Sequence, residues 1–127
     1  MKMNELTHEI IGAAMKVHSV LGPGLLESAY RACLCHELSL RGLRYQKELP
    51  VPIRYLGLIV EVGYRLDILV EELVIVEVKA VSKAKEVHEQ QLLSHLKMSR
   101  KSVGLLINFH VTHLRNGIKR MVNNYQD

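Results

Sequence analysis

Asp67 stands in the stretch YRLDILV, and Glu77 and Lys79 stand in IVEVKA. Both stretches are otherwise rich in Val, Ile and Leu. Carboxylates and an ammonium inside such segments are unfavourable unless they are paired or bound to something. Residues two apart in a strand project from one face, so Glu77 and Lys79 point together. If Asp67 joins them, two hard oxygen donors converge. That donor set suits Mg²⁺ or Mn²⁺, with water and phosphate oxygens completing the shell. Such an ion can polarise a phosphodiester and acidify a bound water. Lys79 would stand beside that water as an orienting, charge-stabilising group first and a general base second. Two nearby carboxylates favour its ammonium form, and a bound dication opposes it. The competing reading of the same residues is a structural ion pair between Lys79 and either carboxylate.

The two readings differ in strand register. A two-residue turn at Glu71-Glu72 would pair Asp67 with Val76 and turn Asp67 to the wrong face. A three-residue connection or a bulge would set Asp67 opposite Glu77. The metal reading therefore requires a hairpin that is irregular by one residue.

Glu27, in GPGLLESAY, raises a related question. At helical spacing it shares a stripe with Tyr30, Leu34 and Leu38. A carboxylate in the first turn complements the helix dipole, and Arg31, four residues on, is a ready surface partner. Its inward direction favours a third role, reaching over the sheet toward Asp67 and Glu77. His88, Gln91 and His95 likewise share a face with Ala84, Val87 and Met98. Gln91 has the chemistry to hold a water or a phosphate. His88 and His95 also read as satisfied interior or rim histidines.

The elements that must position these residues are legible from periodicity. Leu6, Ile10, Ala13, Ala14, Val17 and Leu21 mark a helix over about residues 5 to 21. Gly22 stops it and Pro23 prevents its resumption. A second helix covers about 25 to 41, with apolar positions at Leu26, Tyr30, Cys33, Leu34 and Leu38, and ends at Gly42. Three extended segments follow, the first broken by Pro50 and Pro52, which points to an edge or irregular strand. Residues 83 to 99 return to helical spacing, and 102 to 109 form another buried strand. For the last segment, Asn116-Gly117 could close a hairpin or the chain could form a short helix; an extended tail is expected. The order is α-α-β-β-β-α-β plus tail, an α/β (α+β) sheet with helices on its faces.

The 127 residues, 48% of them hydrophobic and 24% charged, are expected to form one domain spanning 1–127. No apolar run is long enough to cross a bilayer, and the N-terminus lacks a signal-peptide pattern, so the expected location is cytoplasmic, with no membrane partner. The net charge of +4 suits an acidic partner such as nucleic acid. Cys33 and Cys35 are too close in sequence for an easy disulfide, and CLCH lacks a second zinc-ligand pair. There is no phosphate-binding or dinucleotide glycine motif and no serine in a nucleophile elbow. With 5% aromatics and no Trp, a base-stacking platform is not expected.

Four separated stretches in order, HEIIGAAMKVHSVLGPGLLESAY, YRLDILVEELVIVEVKA, VHEQQLLSHLK and VGLLINF, resemble the bacterial GxxExxY family, whose name matches Gly24, Glu27 and Tyr30. That family looks like part of the PD-(D/E)XK nuclease superfamily. The resemblance implies a restriction-endonuclease-like core, a mixed central sheet flanked by helices. It implies Asp67, Glu77 and Lys79 as the motif residues, Glu27 as an acidic residue from a core helix, and Gln91 as the glutamine of a Q-x-x-x-Y pattern. His95 replaces the usual Tyr of that pattern, and Leu66 stands where the motif's proline would be. The reading that follows is a Mg²⁺- or Mn²⁺-dependent phosphodiesterase acting on DNA. Its metal is held by Asp67, Glu77, Glu27 and the Val78 backbone carbonyl, with Lys79 and Gln91 catalytic and Tyr30, His95 and His88 in support. Tyr30 is expected to pack beneath Glu27 and orient its carboxylate. A homodimer is one way for so small a chain to make a groove. The alternatives are a catalytically silent nuclease-like fold that binds nucleic acid or protein, and a small-molecule hydrolase on the same metal site.

Overall fold

The computed structural model describes residues 1–124. Two helices, α1 (Met3–Leu21) and α2 (Glu27–Leu40), precede three strands, β1 (Tyr45–Tyr55), β2 (Leu58–Val70) and β3 (Val74–Lys79). Then come α3 (Glu86–Ser99), β4 (Val103–Asn108), a single 3₁₀ turn (Leu114–Gly117) and β5 (Ile118–Val122). The expected element order is found. The tail is extended, as β5, and Asn116-Gly117 closes the 3₁₀ turn that leads into it.

The sheet runs β1-β2-β3-β4-β5. Only β3 and β4 are parallel, joined across the sheet by α3; the other neighbours are antiparallel. Alternation along β3 divides the core. Val74, Val76 and Val78 face one layer with α1 and α2, while Ile75 faces a second layer with Leu92 and Leu96 of α3. The spacing-based core of α1 is buried as expected: Leu6, Ile10, Ala13, Ala14 and Val17. In α2 the buried stripe is Tyr30, Leu34, Cys35 and Leu38. Cys33, expected on that stripe, is exposed, and both thiols are free.

The link between α1 and α2 is tied by Tyr30. Gly22 turns the chain with φ 74°. The Tyr30 hydroxyl donates to the Gly22 carbonyl and accepts from the Leu25 N–H at 3.0 Å. Its ring stacks on Phe109, centroids 4.6 Å apart. Tyr30 therefore fixes how the chain enters α2, and the expectation that its hydroxyl orients the Glu27 carboxylate is corrected: both of its hydrogen bonds go to the turn.

The expected face of α3 is also corrected. Val87 and Met98 are about half exposed, and Ala84 lies before the helix and is exposed. The core face is Leu92 and Leu96, with His88, His95 and Ser99 partly buried alongside. α3 lies close to β4 because Gly104 has no side chain: a Cβ there would come within 2.8 Å of Leu92. Gly117 allows a tighter approach, since its Cβ would lie 2.2 Å from the Asn108 carbonyl oxygen. Among the described residues, no helix is long and apolar enough to cross a membrane.

These two glycines should differ under substitution. Gly104→Ala should cost about 1–3 kcal/mol, because the Leu92 side chain can yield at the expense of its packing. Gly117→Ala should cost more, because a backbone oxygen in the way cannot rotate aside. Urea denaturation of both variants checks the order; equal or reversed costs would contradict it.

Candidate active site

The connection between β2 and β3 decides the register. Val70 pairs with Val74, Leu69 with Ile75 and Ile68 with Val76, so three residues, 71–73, form the turn. This is the longer of the two connections considered above. Glu71 and Glu72 both adopt left-handed backbone, φ 52° and 58°, a conformation uncommon for residues other than glycine. Neighbours hold it. The Glu71 carboxylate accepts the Arg44 N–H at 2.6 Å, the Glu71 N–H donates to the Arg44 carbonyl at 2.9 Å, and the Lys101 ammonium donates to the Glu72 carbonyl at 2.8 Å.

With that register, Asp67 stands level with Glu77, one step past the last paired residues. Here β2 leaves β3. The Asp67 carboxylate fills the fork, its Oδ2 accepting the Val78 N–H at 2.9 Å. A side chain thus takes over a donor that the departing strand no longer satisfies. Leu66 and Leu69 pack in the same layer although three residues apart, so β2 twists through this point.

Glu77 is buried, 7% exposed. Burial raises its pKa above the ordinary 4.5, the nearby Asp67 charge raises it further, and the His95 hydrogen bond works against both. His95 Nδ1 lies 3.0 Å from Glu77 Oε1. Where Glu77 is ionised it can only accept, so Nδ1 then carries the proton. The His95 ring is held by stacking on Tyr64, centroids 4.5 Å apart. Lys79 is partly buried on the same strand face, two residues beyond Glu77, and has no ion pair among the described residues. Its strand end is pinned by Asn108. That side chain, 2% exposed, accepts from the Val81 and His110 N–H groups and donates to the Val81 carbonyl at 2.9 Å.

Glu27 reaches the fork only through Arg31. The guanidinium lies 3.0 Å from Glu27 Oε2 and 3.6 Å from Asp67 Oδ1. Its Nε is buried without a partner among the described residues. Two of the three roles weighed for Glu27 meet in this arrangement: Arg31 is its partner, and that partner also faces Asp67. Gln91 is exposed on α3, one turn before His95. His88 is engaged elsewhere, its Nδ1 accepting the Lys85 N–H at 3.2 Å at the start of α3. Arg31 and Asn108 were not singled out from the sequence as site residues. Asn108 had a visible signal, a lone amide closing an apolar strand; Arg31 had none beyond its spacing from Glu27.

The chemistry of the donors fits a hard divalent cation. Two carboxylates stand close enough for one to resist ionisation of the other, which a dication relieves. No group of three His, Cys, Asp or Glu suited to a metal occurs among the described residues, so an ion held here would take its remaining ligands from backbone, water or substrate. A family model described as PD-(D/E)XK nuclease superfamily matches residues 4–121. Comparison with curated proteins and with solved structures gives no match.

Glu77 gives a pH prediction for the metal-free protein. Below pH 4.5 the carboxyl is protonated in both folded and unfolded chains. As pH rises from there through the raised folded value, the unfolded chain loses its proton first, the folded chain holds more, and stability falls. Glu77→Gln should remove that decline and be at least as stable as wild type at neutral pH. Thermal melts across pH in chelator check this; an unchanged pH profile would contradict it.

Proposed function

The chain belongs to the PD-(D/E)XK nuclease superfamily, and on that premise we propose that it is a Mg²⁺- or Mn²⁺-dependent phosphodiesterase that cleaves DNA. The observation that carries the reading is the three-residue turn at 71–73, which brings Asp67 level with Glu77 at the open fork of the sheet. Asp67, Glu77 and the Val78 carbonyl hold the cation. When bound, the ion supplies positive charge to the phosphate and makes an attacking water more acidic. Lys79, without an ion pair among the described residues, offers its ammonium to the charge that develops on the phosphate. Gln91, exposed on the same helix as His95, orients the phosphate or the water. His95 holds the Glu77 carboxylate, and Arg31 aims Asp67, with Glu27 balancing the guanidinium. In this reading Glu27 acts through Arg31, while direct ligation requires Arg31 to move.

A second reading has its own observation. Arg31 already faces Asp67 and His95 already faces Glu77, so the carboxylates have partners without a metal. A nuclease-like module that binds nucleic acid without cutting it would keep this closed network.

Plasmid, linear and branched DNA incubated with Mg²⁺ or Mn²⁺, with a chelator control, separates the two. Metal-dependent cleavage by the wild type, reduced by about 10²-fold or more in Lys79→Ala, is the expected result. Cleavage that survives Lys79→Ala would contradict the assignment. Salt-dependent DNA binding without turnover would favour the binding module.

A further inference from the structure

Beyond the fork, β1 and β2 continue as a two-stranded arm with, among the described residues, no other strand beside it: β2 pairs with β3 only through Ile68 to Val70, while its pairing with β1 runs on to Tyr55 and Leu58. The arm bends where the register shifts between Val51 and Ile53. Gly63 permits the bend, since a Cβ there would fall 2.2 Å from Ile53.

Its outer part is apolar and open to solvent. Tyr55 is 65% exposed, Leu56 89%, Leu58 60%, Ile59 53%, Val60 42% and Val62 54%. By the register and the alternation, Tyr55, Leu58, Val60 and Val62 share one face of the ribbon, while Ile59 lies on the other beside Arg54, and all six apolar side chains remain open to solvent. The tip adds an independent observation. Leu56 and Gly57 form the two-residue turn, with φ 46° and 88°. Asparagine or aspartate is favoured at the first position of such a turn. Leucine there is unfavourable twice, in its backbone and in its exposure, as expected of a side chain that meets a partner.

We infer that the arm is the contact surface between two copies of this chain, packed arm against arm about a two-fold axis. Charge argues against a phosphate-bearing partner at this surface: between Ile53 and Val62 the only ionisable groups besides Tyr55 are Arg54 and Glu61, of opposite sign. Area argues for a second arm. Tyr55, Leu58, Val60 and Val62 on one face, with Leu56 at the tip, expose on the order of 500 Å² per copy, and pairing two arms through that face would remove on the order of 1,000 Å² from water, about what a specific interface requires. Self-association of one patch closes as a dimer, the commonest symmetric assembly. Pro50 and Pro52 withhold two N–H donors from the lower part of β1, which disfavours sheet extension along that edge of the arm. The inference does not depend on the phosphodiesterase reading, and its failure would leave that reading intact.

Sedimentation equilibrium across the micromolar range tests it on wild type, Leu56→Asn and Leu58→Lys. The expected result is dimer mass for wild type and monomer mass for both variants, with unchanged circular dichroism. Leu56→Asn should also melt no lower than wild type, because asparagine suits the left-handed turn position. Hydrogen exchange should show protection of residues 55–62 that grows with protein concentration in wild type alone. A monomeric wild type, dimers in both variants, or concentration-dependent protection elsewhere would overturn the inference.

Discussion

One hydrogen bond organises the centre of the molecule. The Val78 N–H, in a buried strand, must have an acceptor, and β2 has already turned away from β3. Asp67 supplies that acceptor from its side chain at 2.9 Å. The same act pins a carboxylate beside Glu77 and opens the sheet into a fork with polar groups at its base. The turn at 71–73, the twist between Leu66 and Leu69, and the departure of the β1–β2 arm all accompany this substitution of side chain for ladder.

Putting two carboxylates together in a low-dielectric environment demands compensation, and the chain supplies it from both layers. From the α2 side, Arg31 stands between Glu27 and Asp67. From the α3 side, His95 donates to Glu77 while Tyr64 holds its ring. The more buried carboxylate, Glu77, receives the neutral-capable donor, and the more open one, Asp67, receives the permanent cation. Burial still raises the Glu77 carboxyl and the Asp67 charge adds to it, so the compensation is incomplete. Lys79 stands apart from both pairs, its strand end locked by the buried Asn108 amide.

Much of this was legible in the sequence because it follows from local periodicity. The helices, the strand order and the α2 stripe with Glu27 on it rest on residues a few positions apart. Register was legible only as a condition, since Glu71-Glu72 contains no glycine to announce left-handed backbone; the longer turn is stabilised by Arg44 and Lys101, remote in sequence. The α3 face was misassigned because Val87 and Met98 look like core residues, while its contacts are set by the Gly104 gap on β4, which admits Leu92. Arg31 meets Asp67 and Asn108 meets Val81 far along the chain, and no local pattern marks those two contacts.

Binding of Mn²⁺, followed by calorimetry and by electron paramagnetic resonance without any substrate, tests the central claim that Asp67 and Glu77 converge on one cation. The account predicts binding to wild type that is lost or strongly weakened in both Asp67→Asn and Glu77→Gln, with Lys79→Ala still binding. Absence of binding in folded wild type, or binding indifferent to both carboxylate substitutions, would contradict it.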